Sequence, residues 1–340
     1  MLISQLPRVK LVHAPTPLEF LPNLTQALNG PDIYIKRDDA TGLATGGNKT
    51  RKLEFLIGDA LAKGANHVIT QGATQSNHVR QTIAAAKKFG LKVSVILEQR
   101  VGDAAEEYYS NGNLLLDEIL GVDSIELVPG GTDMNATLEK KAEQLKAQGE
   151  QAYVIPGGGS NAIGALGYFS TALELIHQLN QLQLAPTHLV HATGSTGTQA
   201  GLLAGLAATH SNLPVLGISV RAEKSVQEAN VYKLAQATLQ HLGLNPDLLS
   251  RNQVVANSDY VGAGYGLPTD SMVEAVELLA RTEGILLDPV YSGKGFAGLV
   301  GLIRQGYFTK EDKVIFLHTG GSVGLFGYRS TFSQHAPYRL

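Results

Sequence analysis

Two lysines three residues apart stand in a glycine-rich run, Gly46-Gly47-Asn48-Lys49-Thr50-Arg51-Lys52-Leu53-Glu54. The run closes a turn and opens a helical pattern. A lysine in that place either grips a phosphate or holds an amine ready for a carbonyl. The preceding residues, from Gly42 on, nearly spell a phosphate-binding loop, which needs Gly, four residues, then Gly-Lys-Ser/Thr. Asn48 separates Gly47 from Lys49 and shifts the amine by one position on a cradle whose amide directions are strict. Cations at a helix start oppose the helix dipole, so Lys49, Arg51 and Lys52 clustered there point to a bound anion or a functional amine. An amine desolvated beside other cations has a lowered pKa and attacks carbonyls. The bland alternative is a solvated lysine.

Three further clusters carry chemistry. Gln71-Gly72-Ala73-Thr74-Gln75-Ser76-Asn77-His78 follows a strand pattern and opens a helix. Ser76 or Asn77 would serve as N-cap, yet one polar side chain is enough for that. Five polar residues in a row, with free backbone N–H groups, make a seat for a carboxylate. His78 alone reads equally as a hydrogen-bonded structural residue. Thr193-Gly194-Ser195-Thr196-Gly197-Thr198-Gln199 also joins a strand to a helix, as a phosphate cup of small residues and hydroxyls or as a well-capped tight turn. Its glycines do not have dinucleotide spacing. Gly157-x-Gly159-x-x-Ala162 does fit loosely, but no acidic residue stands where a ribose would need one. Tyr265, in Gly262-Ala263-Gly264-Tyr265-Gly266-Leu267-Pro268, and Tyr291, in Asp288-Pro289-Val290-Tyr291-Ser292-Gly293-Lys294, are packing caps or substrate contacts. The last strand pattern ends in His318-Thr319-Gly320-Gly321-Ser322.

These clusters are positioned by alternating elements. Short β-branched runs at 33–36, 67–71, 92–97, 124–128, 152–155, 188–192, 215–220 and 313–318 alternate with amphipathic stretches at 50–62, 77–89, 112–120, 136–147, 198–209, 226–242, 270–282 and 294–304. That alternation predicts an α/β fold with a parallel sheet covered on both faces, and ligands beyond the carboxyl ends of the strands. A change of domain is expected near Pro156-Gly157-Gly158-Gly159, with the other crossing near Gly46-Gly47. With 340 residues, 44% hydrophobic, the chain can fill two domains. A net charge of −3 with no basic stripe argues against nucleic acid and anionic membrane as partners. The absence of cysteine excludes disulfides, iron–sulfur clusters and thiolate zinc sites, and no metal is expected. No apolar run approaches the roughly 20 residues that span a bilayer, and the first residues lack a signal-like apolar core, so a soluble, cytoplasmic protein is expected.

In combination, GGNKTRKLEFL, QSNHVRQT, IPGGGSNAIGALGY, GYGLP, DPVYSGK and the terminal HTGG resemble pyridoxal-phosphate enzymes of the tryptophan synthase β fold. Within that group the chain resembles the D-cysteine desulfhydrase / 1-aminocyclopropane-1-carboxylate deaminase family, over nearly its whole length. The resemblance implies fold type II: two open, twisted, mainly parallel sheets with helices on both faces. It implies a discontinuous cofactor domain (1–48 and 162–340), a smaller domain (49–161), an active site in the cleft and a homodimer. The implied cofactor is pyridoxal 5′-phosphate, bonded at its aldehyde carbon by Lys49. Lys52 and the cup Gly194, Ser195, Thr196, Gly197 and Thr198 would hold its phosphate, and Asn77 its phenolic oxygen. Ser76, Asn77 and His78 would seat the carboxylate of a small amino-acid substrate, flanked by Tyr265 and Tyr291. The family's deaminases carry Glu after the DPVY tyrosine and Leu before the final Gly-Gly, whereas its desulfhydrases carry Ser or Thr at both. Ser292 and Thr319 stand there in this chain. A neutral hydroxyl at the pyridine nitrogen makes a weaker electron sink, which suits loss of a β leaving group. The implied reaction is α,β-elimination of D-cysteine to pyruvate, ammonia and sulfide, with Lys49 as base and Tyr291 or Tyr265 as proton donor. Deamination of the cyclopropane amino acid, release of sulfite from cysteate, and a phosphate- or nucleotide-binding module without covalent chemistry are the alternatives.

Overall fold

The computed structural model describes residues 3–333; residues 1–2 and 334–340, the ends of the expected larger domain, lie outside them. Ten strands form two sheets: β1 (Leu18–Phe20), β2 (Asp32–Arg37), β3 (His67–Ala73), β4 (Lys92–Gln99), β5 (Ser124–Pro129), β6 (Ala152–Val154), β7 (His188–Thr193), β8 (Val215–Ser219), β9 (Val255–Asn257) and β10 (Lys313–His318). The larger sheet has the order β1-β2-β10-β7-β8-β9 and the smaller β5-β4-β3-β6. All pairs are parallel except β1 against β2. This is the expected fold class, with helices on both faces of each sheet.

The continuous apolar runs follow from that double cover, because successive side chains of a strand point to opposite faces. In β10, Val314 and Phe316 enter one core cluster while Ile315 and Leu317 enter the cluster on the other face. In β3, Val68 packs toward Val79 and Ile83 of the Asn77–Lys88 helix, and Ile69 packs with Leu138 and Leu145 of the Met134–Ala147 helix. The Lys49–Ala62 helix serves both halves: Phe55 belongs to the large sheet's core, Leu53, Leu56 and Ile57 to the small sheet's.

The periodic reading misses two three-residue edge strands, β1 and β9, which are too short for alternation to show. It also misses the longest helix, Ala162–Leu182, of 21 residues. Its glycines serve close packing. A Cβ at Gly167 would lie 2.4 Å from the Arg51 carbonyl carbon and oxygen, and one at Gly201 of the Gly197–Ala208 helix 2.2 Å from Ala165 O. The Ala162–Leu182 helix supplies Glu174 to a buried ionic cluster under the lysine run. Arg51 bonds Asp38 (Nε–Oδ2 2.8 Å) and Glu174 (Nη2–Oε1 2.9 Å), Tyr168 donates to Asp38 at 2.5 Å, and Lys36 pairs with Glu174 at 2.5 Å. Arg51 therefore does not belong with the unpaired cations of the helix start, as its sequence position suggests.

Candidate active site

The glycine turn before Lys49 exists because the backbone must pass where no side chain fits. Gly46 has φ +77°, and a Cβ there would stand 1.9 Å from Asp39 O. Asn48, which spoils the phosphate-loop spacing, then acts as a bridge. Its backbone N–H donates to Thr319 O at 3.0 Å, and its side-chain amide donates to Thr198 Oγ1 at 3.0 Å. One residue thus ties the lysine helix to the end of β10 and to the start of the Gly197–Ala208 helix.

A cavity of about 1030 Å³ opens beyond the carboxyl ends of both sheets. Lys49 lies on its wall, and its Nζ donates to Ser195 Oγ at 3.3 Å. Burial pushes its pKa down to about 8. Lys52, fully buried one turn on, donates to Gly158 O at 3.1 Å, and burial together with the charge of Lys49 holds it well below an ordinary lysine. A Cβ at Gly197 would stand 2.9 Å from Lys52 Nζ and 2.8 Å from Ser160 Oγ, so the cup backbone closes directly on the amine. Gly197 N donates to Ser160 Oγ at 3.2 Å, and Thr196 holds a left-handed φ of +68° to turn the cup into the helix. Gly194, Ser195, Thr196 and Thr198 line the same cavity.

Across it lies the start of the Asn77–Lys88 helix. Ser76 is its N-cap, accepting from Val79 N at 3.2 Å. Asn77 Oδ1 accepts from Asn113 Nδ2 (2.9 Å) and Arg80 Nη1 (3.2 Å), which leaves its Nδ2 as the outward donor. The side chain of His78 is elsewhere than expected. Thr70 Oγ1 donates to Ile155 O (2.8 Å), so the 2.9 Å contact between His78 Nε2 and Thr70 Oγ1 uses the ring N–H. Burial, Lys49 and Lys52 keep that ring well below its ordinary pKa, hence neutral. The ring is committed, and His78 offers a ligand only its backbone at the helix start.

Tyr265 and Tyr291 meet hydroxyl to hydroxyl on the opposite wall, with rings edge-on at 5.7 Å. The Arg100 guanidinium lies 5.2 Å over the Tyr265 ring and is held by Glu98 at 2.5 Å. Burial pushes Tyr291 up to about 12 and Tyr265 well above its ordinary value, so the pair is protonated near neutrality. The two hydroxyls expected at the cofactor occupy different places. Thr319 is on the cavity wall, whereas Ser292 is not; its Oγ donates to Asp288 Oδ1 (2.6 Å) and lies 3.2 Å from Gly320 O. The reason is Asp288, which accepts from the N–H groups of Val290, Tyr291 and Ser292 and winds the turn that aims Tyr291. Asp288 escaped the sequence reading, although Asp before Pro is a turn signal. Arg80, Arg100 and Asn113 carried no local signal.

The comparisons with known proteins bear on the fold and the family. Fold and site define a fold type II pyridoxal-phosphate enzyme, and the chain belongs to the family of pyridoxal-phosphate dependent enzymes, whose model matches residues 9–320. Over 326 residues, 96% of this chain and 97% of the relative, it is 46% identical to a D-cysteine desulfhydrase of Salmonella typhi. A solved structure described as an ACC deaminase homologue superposes with a TM-score of 0.87 at 38% identity, covering 98% of both chains. An O-ureido-L-serine synthase shares the fold at TM-score 0.65 and 17% identity, over 96% of this chain and 94% of that one. Pyridoxal 5′-phosphate is the cofactor. The residues present fit it: two buried amines without a carboxylate partner among the described residues face a cup whose glycines leave room for an anion and no Cβ. No helix among the described residues is long and apolar enough to cross a membrane.

Proposed function

We propose that the chain catalyses the α,β-elimination of D-cysteine to pyruvate, ammonia and hydrogen sulfide. The observation that carries the reading is Lys49, a buried amine with a depressed pKa, on the wall of a cavity whose other walls carry a phosphate cup and a protonated tyrosine pair. The 46% identity to a D-cysteine desulfhydrase supplies the substrate. When bound, the cofactor withdraws electrons from the substrate's α-carbon. Lys52 and the cup from Gly194 to Thr198 hold its phosphate by charge and by the helix start. Asn77 Nδ2 donates to its phenolic oxygen, an orientation set by Arg80 and Asn113. Thr319 is its neutral neighbour at the ring nitrogen, with Ser292 bonded behind to Asp288.

The substrate carboxylate sits at Ser76 and the backbone of Asn77 and His78. Lys49, whose pKa burial lowers to about 8, takes the α-proton in its neutral form. The Cβ–S bond breaks with its electron pair on sulfur, and the Tyr265–Tyr291 pair delivers a proton to that sulfur. Water completes the release of pyruvate and ammonia. The domain division at 1–48 with 162–340 against 49–161, the homodimer and the cytoplasmic location belong to the same reading; sedimentation of the purified protein tests the dimer.

A second reading, ring opening of 1-aminocyclopropane-1-carboxylate, is favoured by the ACC deaminase homologue at TM-score 0.87. Steady-state assays on both compounds decide between them. Faster turnover of the cyclopropane overturns the desulfhydrase reading.

A further inference from the structure

Tyr265 is carried by a loop, residues 262–268, that holds three glycines at positive φ, among them Gly262 (+70°) and Gly266 (+76°). Such a stretch costs much entropy to order and has no ladder of its own. Two side chains tie it down. Tyr328 OH donates to Gly266 O at 2.8 Å. Lys294, fully buried, donates its ammonium to Val261 O at 2.6 Å and Gly264 O at 2.9 Å. No carboxylate pairs with Lys294 among the described residues, and its pKa is pushed down to about 8 by burial. A buried cation held only by neutral carbonyls is costly, and what it supplies in return is the fixing of this loop.

Its location says to what end. Lys294 stands one turn after Tyr291 in the Ser292–Arg304 helix, where Gly295 N closes on Tyr291 O at 2.8 Å. Its reach to Val261 and Gly264 therefore joins the base of one tyrosine to the loop of the other, 26 residues away. We propose that Lys294 is a positioning residue for the elimination: its two carbonyl bonds set where the Tyr265 hydroxyl meets that of Tyr291. The inference rests on the tyrosine pair being the proton donor of the proposed function.

A double-mutant cycle tests it in the holoenzyme, with Lys294→Met, Tyr265→Phe and the combination. Lys294→Met is expected to lower kcat on D-cysteine by about 10- to 100-fold, the scale of a small misplacement, with a lesser effect on KM. In the Tyr265→Phe background that loss is expected to vanish, because Lys294 then has no hydroxyl to place. Equal losses in both backgrounds, or no loss in the first, overturn the inference. Lys294→Gln keeps one amide donor and is expected to lie between. Near-ultraviolet circular dichroism reads the placement without any substrate, since the chain has 12 tyrosines and no tryptophan. Lys294→Met is expected to change the tyrosine band, and the change is expected to be absent when Tyr265 is Phe. An unchanged band overturns the clamp whatever the substrate is. If Tyr265→Phe alone leaves kcat intact, the catalytic reading of the tyrosines falls, and the dichroism still judges the clamp.

Discussion

Replacing Lys52 with Met is expected to move stability and cofactor affinity in opposite directions. In the cofactor-free protein Lys52 is fully buried, meets Gly158 O and the amine of Lys49 but no carboxylate among the described residues, and is pushed well below its ordinary pKa by burial and by Lys49. Its ammonium is therefore a cost. Methionine fills nearly the same volume without a charge, and such replacements of buried charge stabilise by about 1–4 kcal/mol; the hydrogen bond lost at Gly158 O offsets about 1 kcal/mol of that. The cofactor-free variant is expected to be as stable as the parent or more so. The cofactor, however, loses a charge-assisted bond to its phosphate, worth about 1.5–3 kcal/mol, or about 10- to 150-fold in dissociation constant. Urea unfolding of the cofactor-free protein and titration with pyridoxal phosphate, followed by its absorbance, measure the two effects. A variant that binds the cofactor as tightly as the parent refutes the placement of the phosphate at Lys52. A cofactor-free variant destabilised by more than about 2 kcal/mol refutes the account of a strained, unpaired ammonium.

Other consequences are equally direct. Lys49 reacts with an aldehyde only when deprotonated, and its pKa in the cofactor-free protein is lowered to about 8 by burial. Recombination with pyridoxal phosphate should therefore accelerate about tenfold per pH unit below that value and level off above it, rather than climb to the ordinary lysine range; a stopped-flow rate still rising at pH 10 refutes this. Arg51→Met leaves the buried Asp38 without its ion-pair partner, while Glu174 keeps Lys36, and a loss of about 3–5 kcal/mol in urea unfolding is expected. Gly167→Ala puts a methyl 2.4 Å from the Arg51 carbonyl carbon and oxygen, which are backbone and cannot yield, so a cost of at least about 1–3 kcal/mol is expected from the same measurement. Inorganic phosphate should raise the melting temperature of the cofactor-free parent, by mass action on the native state, and raise that of Lys52→Met less at the same concentration.

Much of the fold was legible because a strand covered on both faces writes a plain apolar run, as in β7 and β10, and because the glycine turns fall at strand ends. The lysine run, the cup and the Ser76-Asn77 helix start could be read as candidates from local chemistry alone, since each is a helix N-terminus with its donors in sequence order. The Ala162–Leu182 helix was not legible. Its glycines are selected for contact with Arg51 and Gly159, and such contacts leave no period in the chain.

What the sequence determined by itself is which residues are candidates to meet a ligand: Lys49 in GGNK, the hydroxyls and glycines of the cup, Asn77 beside the Ser76 cap, a tyrosine on each of two turns. Those signals are local, and local backbone chemistry is enough to write them. Only the tertiary structure decided how each is employed. Arg51 is spent on Asp38 and Glu174, the His78 ring on Thr70, and Ser292 on Asp288, while Thr319 keeps its place on the wall. Lys49 and Lys52 are set apart from the other cations by what does not surround them. A buried amine is tuned by the neighbours that the fold brings from distant parts of the chain, and by the water they exclude.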